Sequence, residues 1–178
     1  MTVFISGGAK CGKSSIAQDI AVKLAAGERL YYVATMIPTG AEDDERIRRH
    51  LQDRVGMGFE TVECFRNIGS IADKDTTFLV DNITSLMQNA MFSPEKGYEM
   101  DIPAAELCCE ELIRFAGSVG HAVFVSDYIY SDAERYSGST EAYRRCLAVA
   151  DRALAKACDV VMEVTAGNPI IYKGAEYL

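Results

Sequence analysis

The stretch Gly7-Gly8-Ala9-Lys10-Cys11-Gly12-Lys13-Ser14 determines the fold that we expect for this chain. It matches G-x-x-x-x-G-K-S, the P-loop pattern, in which glycines let the backbone turn its N–H groups toward a phosphate. The lysine of such a loop reaches the β- and γ-phosphates of a nucleotide, and the serine hydroxyl binds Mg²⁺. We therefore predict that Gly7–Ser14 binds a nucleotide, that Lys13 is catalytic and that Ser14 is a metal ligand.

The residues on either side of this stretch have the pattern that a P-loop requires. Thr2–Ser6 is a run of β-branched and aromatic residues, which predicts a buried strand. Ser15–Ala26 carries Ile16, Ile20 and Leu24 at helical spacing, without proline or glycine, which predicts a helix. The loop thus connects a strand to a helix N-terminus, whose positive end favours phosphate binding.

Composition limits the possible functions. With 178 residues, of which 49% are hydrophobic, we expect one P-loop transferase domain over residues 1–178. No apolar run approaches the roughly 18 residues that a membrane span needs, and we expect no signal peptide. The net charge of -8 argues against broad nucleic-acid binding but not against a nucleotide pocket. The six cysteines lack C-x-x-C or disulfide spacing, which favours reduced thiols in a cytoplasmic protein.

Strands and helices alternate along the rest of the chain. The predicted strands are Leu30–Ala34, Phe59–Phe65, Thr77–Asp81, Ala122–Ser126, Asp159–Thr165 and an edge strand at Ile170–Tyr172. The predicted helices are Glu42–Arg54, Asn82–Phe92, Pro103–Val119 and Glu141–Ala157, and Ala166–Pro169 is predicted to be a turn. Near-continuous apolar strands favour an α/β fold with a mainly parallel sheet and helices on both faces. Ligands bind beyond the carboxyl ends of such strands.

Asp81 ends an apolar strand in a chain that already has a P-loop. This is the position of the second carboxylate that organises Mg²⁺ in P-loop enzymes, so we predict Asp81 as a metal residue. The alternative is an aspartate that caps the helix beginning after it at Asn82.

The predicted helix Glu42–Arg54 allows two interpretations. Arg46, His50 and Arg54 recur every four residues and form one stripe, with Arg49 adjacent. Such a face could grip a triphosphate, and positive neighbours would keep His50 neutral and able to attack phosphorus. From the pattern alone a solvated charged face is favoured, opposite a thin apolar stripe of Ile47, Leu51 and Val55. The second histidine, His121, is expected at the surface.

The ordered motifs resemble the bifunctional adenosylcobinamide kinase / adenosylcobinamide-phosphate guanylyltransferase family of cobalamin biosynthesis. The P-loop is followed by the strand motif Tyr32-Val33-Ala34-Thr35. The family's Arg-Ile-x-x-His-x-x-x-Arg then appears as Arg46-Ile47-Arg48-Arg49-His50-Leu51-Gln52-Asp53-Arg54. Two further family segments appear as Leu79-Val80-Asp81-Asn82-Ile83-Thr84 with Asn89, and as the C-terminal residues around Ala157–Lys173. A family glutamate corresponds to Glu63 or Glu60. The chain departs from the family at Asp127-Tyr128-Ile129-Tyr130, where members usually carry Asn-Glu-Val-Gly.

The resemblance implies a RecA-like P-loop fold and two activities. A cobinamide would be phosphorylated with GTP or ATP, and GMP would be transferred from GTP through a guanylylated, catalytic His50. It implies Mg²⁺ as cofactor, nucleotide contacts by Arg46, Arg49, Arg54 and Glu63, and a homo-oligomer such as a trimer. Two alternatives stay open, a plain small-molecule kinase in which Asp127 is a base, and a nucleotide-binding regulatory protein.

Overall fold

The structure, a computed structural model, describes residues 1–177, except for the side chains of Ala41, Glu42, Asp44 and Arg46. Strands are β1 Thr2–Gly7, β2 Leu30–Ala34, β3 Glu60–Glu63, β4 Thr77–Asp81, β5 His121–Asp127, β6 Val160–Thr165 and β7 Asn168–Lys173. Helices are α1 Lys13–Ala25, α2 Ala41–Asp53, α3 Ile83–Met91, α4 Ile102–Ser118 and α5 Gly138–Ala157, with 3₁₀ turns at Ile68–Ile71, Pro94–Lys96 and Ala175–Tyr177. Within these residues, no helix is long and apolar enough to cross a membrane.

The described strands form one sheet in the order β3-β2-β4-β5-β1-β6-β7. All neighbouring strands are parallel except β7, which runs antiparallel to β6 at the edge. Strand β5 therefore lies between β1 and β4, with Asp127 in register with Gly7 and Asp81 in register with Val125. The P-loop, Asp127 and Asp81 thus lie side by side at the carboxyl edge of the sheet.

Helices cover both faces of the sheet, as the apolar strands predict. On one face, α3, α4 and α5 pack on a core that includes Phe78, Phe115 and Phe124, all at most 1% exposed. On the other face, α1 buries Ala17 and Ala21 against strand residues. Each fully buried aromatic side chain stabilises the fold by about 1.5–3 kcal/mol, and close packing in such cores restrains the strands that carry the site residues. The site residues at the carboxyl ends of these strands are therefore carried by well-packed elements.

Two predictions about local structure need correction. The turn predicted at Ala166–Pro169 is shorter, because Ala166 and Gly167 take positive φ values of 49° and 80° and β7 already begins at Asn168. His121 is half-buried rather than a surface residue, since its Nδ1 lies 2.8 Å from the amino nitrogen of Met1. His121 opens β5 and thus lies at the sheet edge opposite the P-loop.

Candidate nucleotide-binding site

The P-loop connects β1 to α1, and two of its glycines are required by its path. Gly12 precedes α1 with a φ of 94°, in the left-handed region that side chains disfavour. At Gly7, an added Cβ would lie 2.7 Å from both Cys11 Sγ and the Val164 carbonyl oxygen. The loop therefore approaches β6 too closely for any side chain at Gly7.

Lys13 points back under this loop and is already paired with a carboxylate. The lysine is 5% exposed, and its Nζ donates hydrogen bonds to the Gly8 carbonyl at 3.0 Å and to Asp127 Oδ1 at 2.5 Å. An ion pair between largely buried groups is weakly screened, so this contact fixes both side chains. The charge available for a phosphate is thus already neutralised within the protein.

Asp127 is held from its other side by residues that come after β4. Asn82 Nδ2 donates to Asp127 Oδ2 at 2.9 Å, and the Asp127 N–H donates to Thr84 Oγ1 at 2.9 Å. Asn82 also caps α3, because its Oδ1 accepts the Ser85 N–H at 2.8 Å. The helix-cap interpretation of Asp81 is therefore wrong, since the neighbouring asparagine supplies the cap.

Asp81 and Ser14 line the same cleft. The Asp81 carboxylate is half-buried, and its Oδ2 accepts a hydrogen bond from the Tyr32 hydroxyl at 3.1 Å. Mg²⁺ in nucleotide sites is held by one or two protein oxygen ligands together with phosphates and water, so a hydroxyl and a carboxylate fit that ion. Among the described residues, no cluster of three or more His, Cys, Asp or Glu could hold a metal by itself.

The cleft in front of the P-loop has a volume of about 1080 Å³. The P-loop forms one wall, and the second half of α2 forms another through Arg49, His50 and Asp53. His50 is half-buried, whereas Arg49 is exposed at the rim. The fold therefore brings the predicted histidine and one predicted arginine to the cleft that Lys13 and Ser14 line.

A second, smaller cavity of about 150 Å³ adjoins this cleft. His50, Asp81 and Asn82 line both spaces, so His50 stands where they meet. The small cavity is mainly apolar, with polar groups of Arg54, Thr61 and Glu63 in its wall. Its further polar lining residues are Thr35, His50, Asp81, Asn82 and Ser85, so apolar area and convergent polar groups occur together, as in small-ligand pockets.

Two residues of the predicted apolar stripe of α2 line this small cavity instead of packing into the core, and the third, Val55, lies beyond the end of the helix. Ile47 and Leu51 are in the cavity wall, with Leu51 47% exposed, and Val55 is 80% exposed. Because the helix leaves its apolar side chains beside an open space, it has room for a bound apolar or aromatic group.

Arg54, just after the end of α2, departs from the solvated charged face, whereas Arg48 and Arg49 within the helix are 65% exposed as that interpretation expects. Arg54 is 7% exposed, and its guanidinium carbon lies 3.4 Å from the centroid of the Tyr32 ring. Its Nη1 is buried and has no hydrogen-bond partner among the described residues. A buried donor without a partner lowers the stability of the fold by about 1–3 kcal/mol, so a ligand acceptor that bonds to Nη1 would remove this penalty. The side chain of Arg46 lies outside the described residues.

The loop after β2 is tied to the site by two polar side chains of the family motifs. Thr35 Oγ1 accepts the Asn82 N–H at 2.8 Å and donates to the Asn82 carbonyl at 2.7 Å. Asn89 Nδ2 donates to the carbonyls of Thr35 at 2.7 Å and Phe65 at 3.1 Å. These bonds fix the edges of the small cavity to α3.

Helix α5 holds the segment after Asp127, where the chain departs from the family pattern. The buried Arg144 guanidinium donates to the carbonyls of Ile129 and Glu134, both at 3.1 Å, and to Asp132 Oδ1 at 2.6 Å. Asp151, 3% exposed, accepts through Oδ2 from Ser126 at 2.9 Å and Tyr130 at 2.8 Å. Asp127 thus lies between Ser126 and residues 129–134, which Asp151 and Arg144 of α5 hold in place.

The contact between Lys13 and Asp127 is a part of the site that the sequence motifs do not predict. Asp127 comes after the apolar run Ala122–Ser126 in the same way that Asp81 ends its own strand. A strand-end carboxylate is therefore the signal that could have identified it, given the strand order.

The sheet, the P-loop and the cleft define a P-loop nucleotide-binding α/β protein, as predicted. Flagellar accessory protein FlaH from Methanocaldococcus jannaschii is similar over 97% of this chain and 77% of its own, with 12% identity and a TM-score of 0.51. The ATP synthase subunit NeqB from Nanoarcheaum equitans is similar over 91% of this chain and 45% of its own, with 11% identity and a TM-score of 0.56. At such identities the likeness concerns the fold alone.

The family is defined by sequence. The model of the cobinamide kinase / cobinamide phosphate guanyltransferase family matches residues 3–171, and the chain belongs to that family. The resemblance predicted from the motifs is thereby confirmed, and the chain is an enzyme with kinase and nucleotidyltransferase activity in cobalamin biosynthesis. Among curated proteins, no match is found.

Proposed function

We propose that guanylyl transfer by this chain proceeds through a covalent bond between GMP and His50. The observation that carries the proposal is the position of His50 at the junction of the P-loop cleft and the small cavity. A GTP whose β- and γ-phosphates bind the P-loop and whose base enters the small cavity would present its α-phosphate at that junction. The histidine would then face the phosphorus that it must attack.

The chemistry divides one transfer into two steps. The lone pair of the neutral His50 ring attacks the α-phosphorus, a nitrogen–phosphorus bond forms, and the bond to the bridging oxygen breaks to release pyrophosphate. A phosphate oxygen of cobinamide phosphate then attacks the same phosphorus, and the histidine leaves unchanged. Lys13 would stabilise the charge of the departing pyrophosphate, and Arg49, which lines the same cleft, and Arg46 would add positive charge.

Ser14 and Asp81 would hold the Mg²⁺ that neutralises phosphate charge during both activities. The support for this assignment is that both oxygen-bearing side chains line the cleft with Lys13. The hydrogen bond from Tyr32 would leave one Asp81 oxygen for a metal-bound water.

The small cavity would bind the guanine base. Guanine offers acceptors at O6 and N7, which arginine binds in fork geometry, and donors at N1 and N2 for a carboxylate. The partnerless Nη1 of Arg54 and the carboxylate of Glu63 in the cavity wall support this arrangement. Tyr32 would orient the arginine by stacking, since its ring lies under the guanidinium.

Incubation with α-labelled GTP tests the role of His50. We expect an acid-labile, base-stable protein adduct in the wild type and none in His50→Ala. The chain has two histidines, so His121→Ala is a matched control and should label like the wild type. Labelling of His50→Ala at the wild-type level would refute the proposal, and γ-phosphate transfer without any α-label would favour a plain kinase.

Two finer expectations belong to the same proposal. We propose a homo-oligomer, and the exposed apolar residues Ile170, Ile171 and Tyr172 on the edge strand β7 support a contact between copies. Light scattering during gel filtration tests it, and a monomeric mass would refute it. We also propose a cytoplasmic location, which the six free cysteines support.

A further inference from the structure

We propose that Tyr32 is a positioning residue with two separable roles in nucleotide binding. Its ring orients Arg54 toward the base, and its hydroxyl orients the Asp81 carboxylate toward Mg²⁺. The inference rests on the proposed function, which assigns Arg54 to the base and Asp81 to the metal. It goes further because it makes one side chain responsible for the geometry at both ends of the bound nucleotide.

The place of Tyr32 on β2 brings it between these two groups. Tyr32 comes two residues before Ala34, which is in register with Asp81 on the neighbouring strand β4. Because side chains two apart along a strand point to the same face of the sheet, the Tyr32 ring lies on the face of Ala34 and of its register partner. The small side chain of Ala34 leaves room for the tyrosine hydroxyl to reach the carboxylate.

Tyr32 uses different parts of its side chain for its contacts. The hydroxyl donates to Asp81 Oδ2 at 3.1 Å, whereas the ring lies 3.4 Å, at its centroid, from the guanidinium carbon of Arg54. Phe59 packs edge-on against the same ring, with 6.3 Å between the ring centroids and an angle of 89° between the planes. Since Tyr32 is only 5% exposed, these contacts restrict its ring to one orientation.

Each contact has a consequence for a ligand. The buried Nη1 of Arg54 has no hydrogen-bond partner among the described residues, so the ring that stacks on the guanidinium sets the direction in which this donor points. A hydrogen bond to a carboxylate that binds a metal contributes typically about 10–100-fold to metal affinity. Loss of the hydroxyl should therefore affect the metal alone, and loss of the ring should affect both the metal and the base.

Two substitutions separate the roles. Tyr32→Phe keeps the ring and removes the hydroxyl, whereas Tyr32→Leu removes both. GTP and ATP analogues with a methylene group between the α- and β-phosphorus cannot release pyrophosphate, so isothermal titration with them measures binding without turnover. Titration over a range of Mg²⁺ concentrations gives the Mg²⁺ dependence of affinity and the preference for guanine over adenine.

We expect Tyr32→Phe to need at least about tenfold more Mg²⁺ than the wild type for half of the gain in affinity. Its preference for the GTP analogue should stay within about twofold of the wild type. Tyr32→Leu should show the same change in Mg²⁺ dependence and lose at least about fivefold in base preference. In the background of Asp81→Asn, Tyr32→Phe should bring no further change, because the hydroxyl acts through that carboxylate.

Tyr31→Phe is the matched control, since it removes a hydroxyl from the adjacent residue of β2. Its ring packs on the other face of the sheet, 5.7 Å between centroids from Phe78, and the variant should match the wild type in both quantities. A merely structural role of Tyr32 would instead weaken Mg²⁺ dependence and base preference together in both Tyr32 variants.

That joint loss would overturn the inference. So would an unchanged Mg²⁺ dependence in Tyr32→Phe, or a retained base preference in Tyr32→Leu. Two further variants show whether the fault lies in the proposed function. If Asp81→Asn leaves the Mg²⁺ dependence unchanged, or Arg54→Met leaves the base preference unchanged, the proposed function fails at that residue and the inference fails with it. If both variants have their expected effects, unchanged Tyr32 variants refute the inference alone.

Discussion

Lys13 Nζ and Asp127 Oδ1 lie 2.5 Å apart, so the lysine of the P-loop is paired with a protein carboxylate. The lysine is almost fully buried, and its pairing with Asp127 lowers the cost of holding a charge there. If Lys13 binds the phosphates, as we propose, a nucleotide would therefore displace a carboxylate from it. The strength of the Lys13–Asp127 ion pair should therefore affect the affinity for nucleotide.

The first prediction concerns this competition. Asp127→Asn should bind GTP about tenfold more tightly than the wild type, because the phosphates no longer displace a charged partner from Lys13. Lys13→Met should weaken binding, and adding Asp127→Asn to it should bring no further gain. Isothermal titration of the four proteins measures the coupling, and additive effects of the two substitutions would contradict it.

The second prediction concerns the segment after Asp127. Arg144→Lys should speed amide hydrogen exchange in residues 129–134 about tenfold, because an ammonium group cannot bond several carbonyls as a planar guanidinium does. Exchange measured by mass spectrometry in the folded protein reports this locally. Arg145→Lys, one residue along and exposed, should leave the segment unchanged. Equal protection in the two variants would contradict the assigned role of Arg144.

The third prediction concerns pH and the buried carboxylate of Asp151. Burial raises the pKa of Asp151 from 3.8 to about 6, against the lowering effect of its hydrogen bonds from Tyr130 and Ser126. The Asp151 carboxyl therefore binds its proton more tightly in the folded state than in the unfolded state. As a result, the contribution of Asp151 to the free energy of unfolding falls as pH rises from about 4 to about 6. The full difference amounts to about 3 kcal/mol.

Urea unfolding of the wild type and Asp151→Asn measures that contribution. Between about pH 4.5 and about pH 7.5, the difference in unfolding free energy should shift in favour of the variant by about 2 kcal/mol. The exposed Asp75→Asn should run parallel to the wild type over the same range. Parallel curves for Asp151→Asn as well would show that the carboxylate titrates as an exposed one does.

Most of the fold is predictable from local patterns in the sequence. The apolar runs at Thr77–Asp81 and Ala122–Ser126 are too continuous for half-exposed strands, and the P-loop pattern predicts both the turn after β1 and the start of α1. The order of the strands is not predictable from such patterns. That β5 lies between β1 and β4 depends on which helices pack on which face, a matter of pairing between distant segments.

The position of a candidate site residue was predictable where a sequence motif defines it. It was less predictable where the environment of the side chain depends on residues that are distant in sequence. The serine and lysine of the P-loop, and His50 through the family motif, are brought to one cleft. For Arg54, the sequence pattern is the same for a solvated arginine and for one stacked on Tyr32, because the ring comes from β2. The same limit applies to Asp127, whose partners come after β1 and β4.

The last prediction concerns the choice between guanine and adenine. Glu63→Gln should reduce the preference for GTP over ATP in nucleotidyl labelling of the protein at least about tenfold. A carboxylate accepts from both N1 and N2 of guanine, whereas an amide can accept with its oxygen alone. Adenine lacks those two donors, so its labelling should change little. Competition between α-labelled GTP and unlabelled ATP measures the ratio directly.

Glu60→Gln is the matched control for this substitution. Both glutamates lie on β3, and the family motif is compatible with either, but Glu63 lines the small cavity together with His50 and Arg54. An odd separation along a strand places the two side chains on opposite faces of the sheet, so the Glu60 carboxylate is not expected to contact the base. A loss of selectivity in Glu60→Gln but not in Glu63→Gln would mean that the base binds outside the small cavity, whereas the reverse result supports Arg54 and Glu63 as its two polar partners.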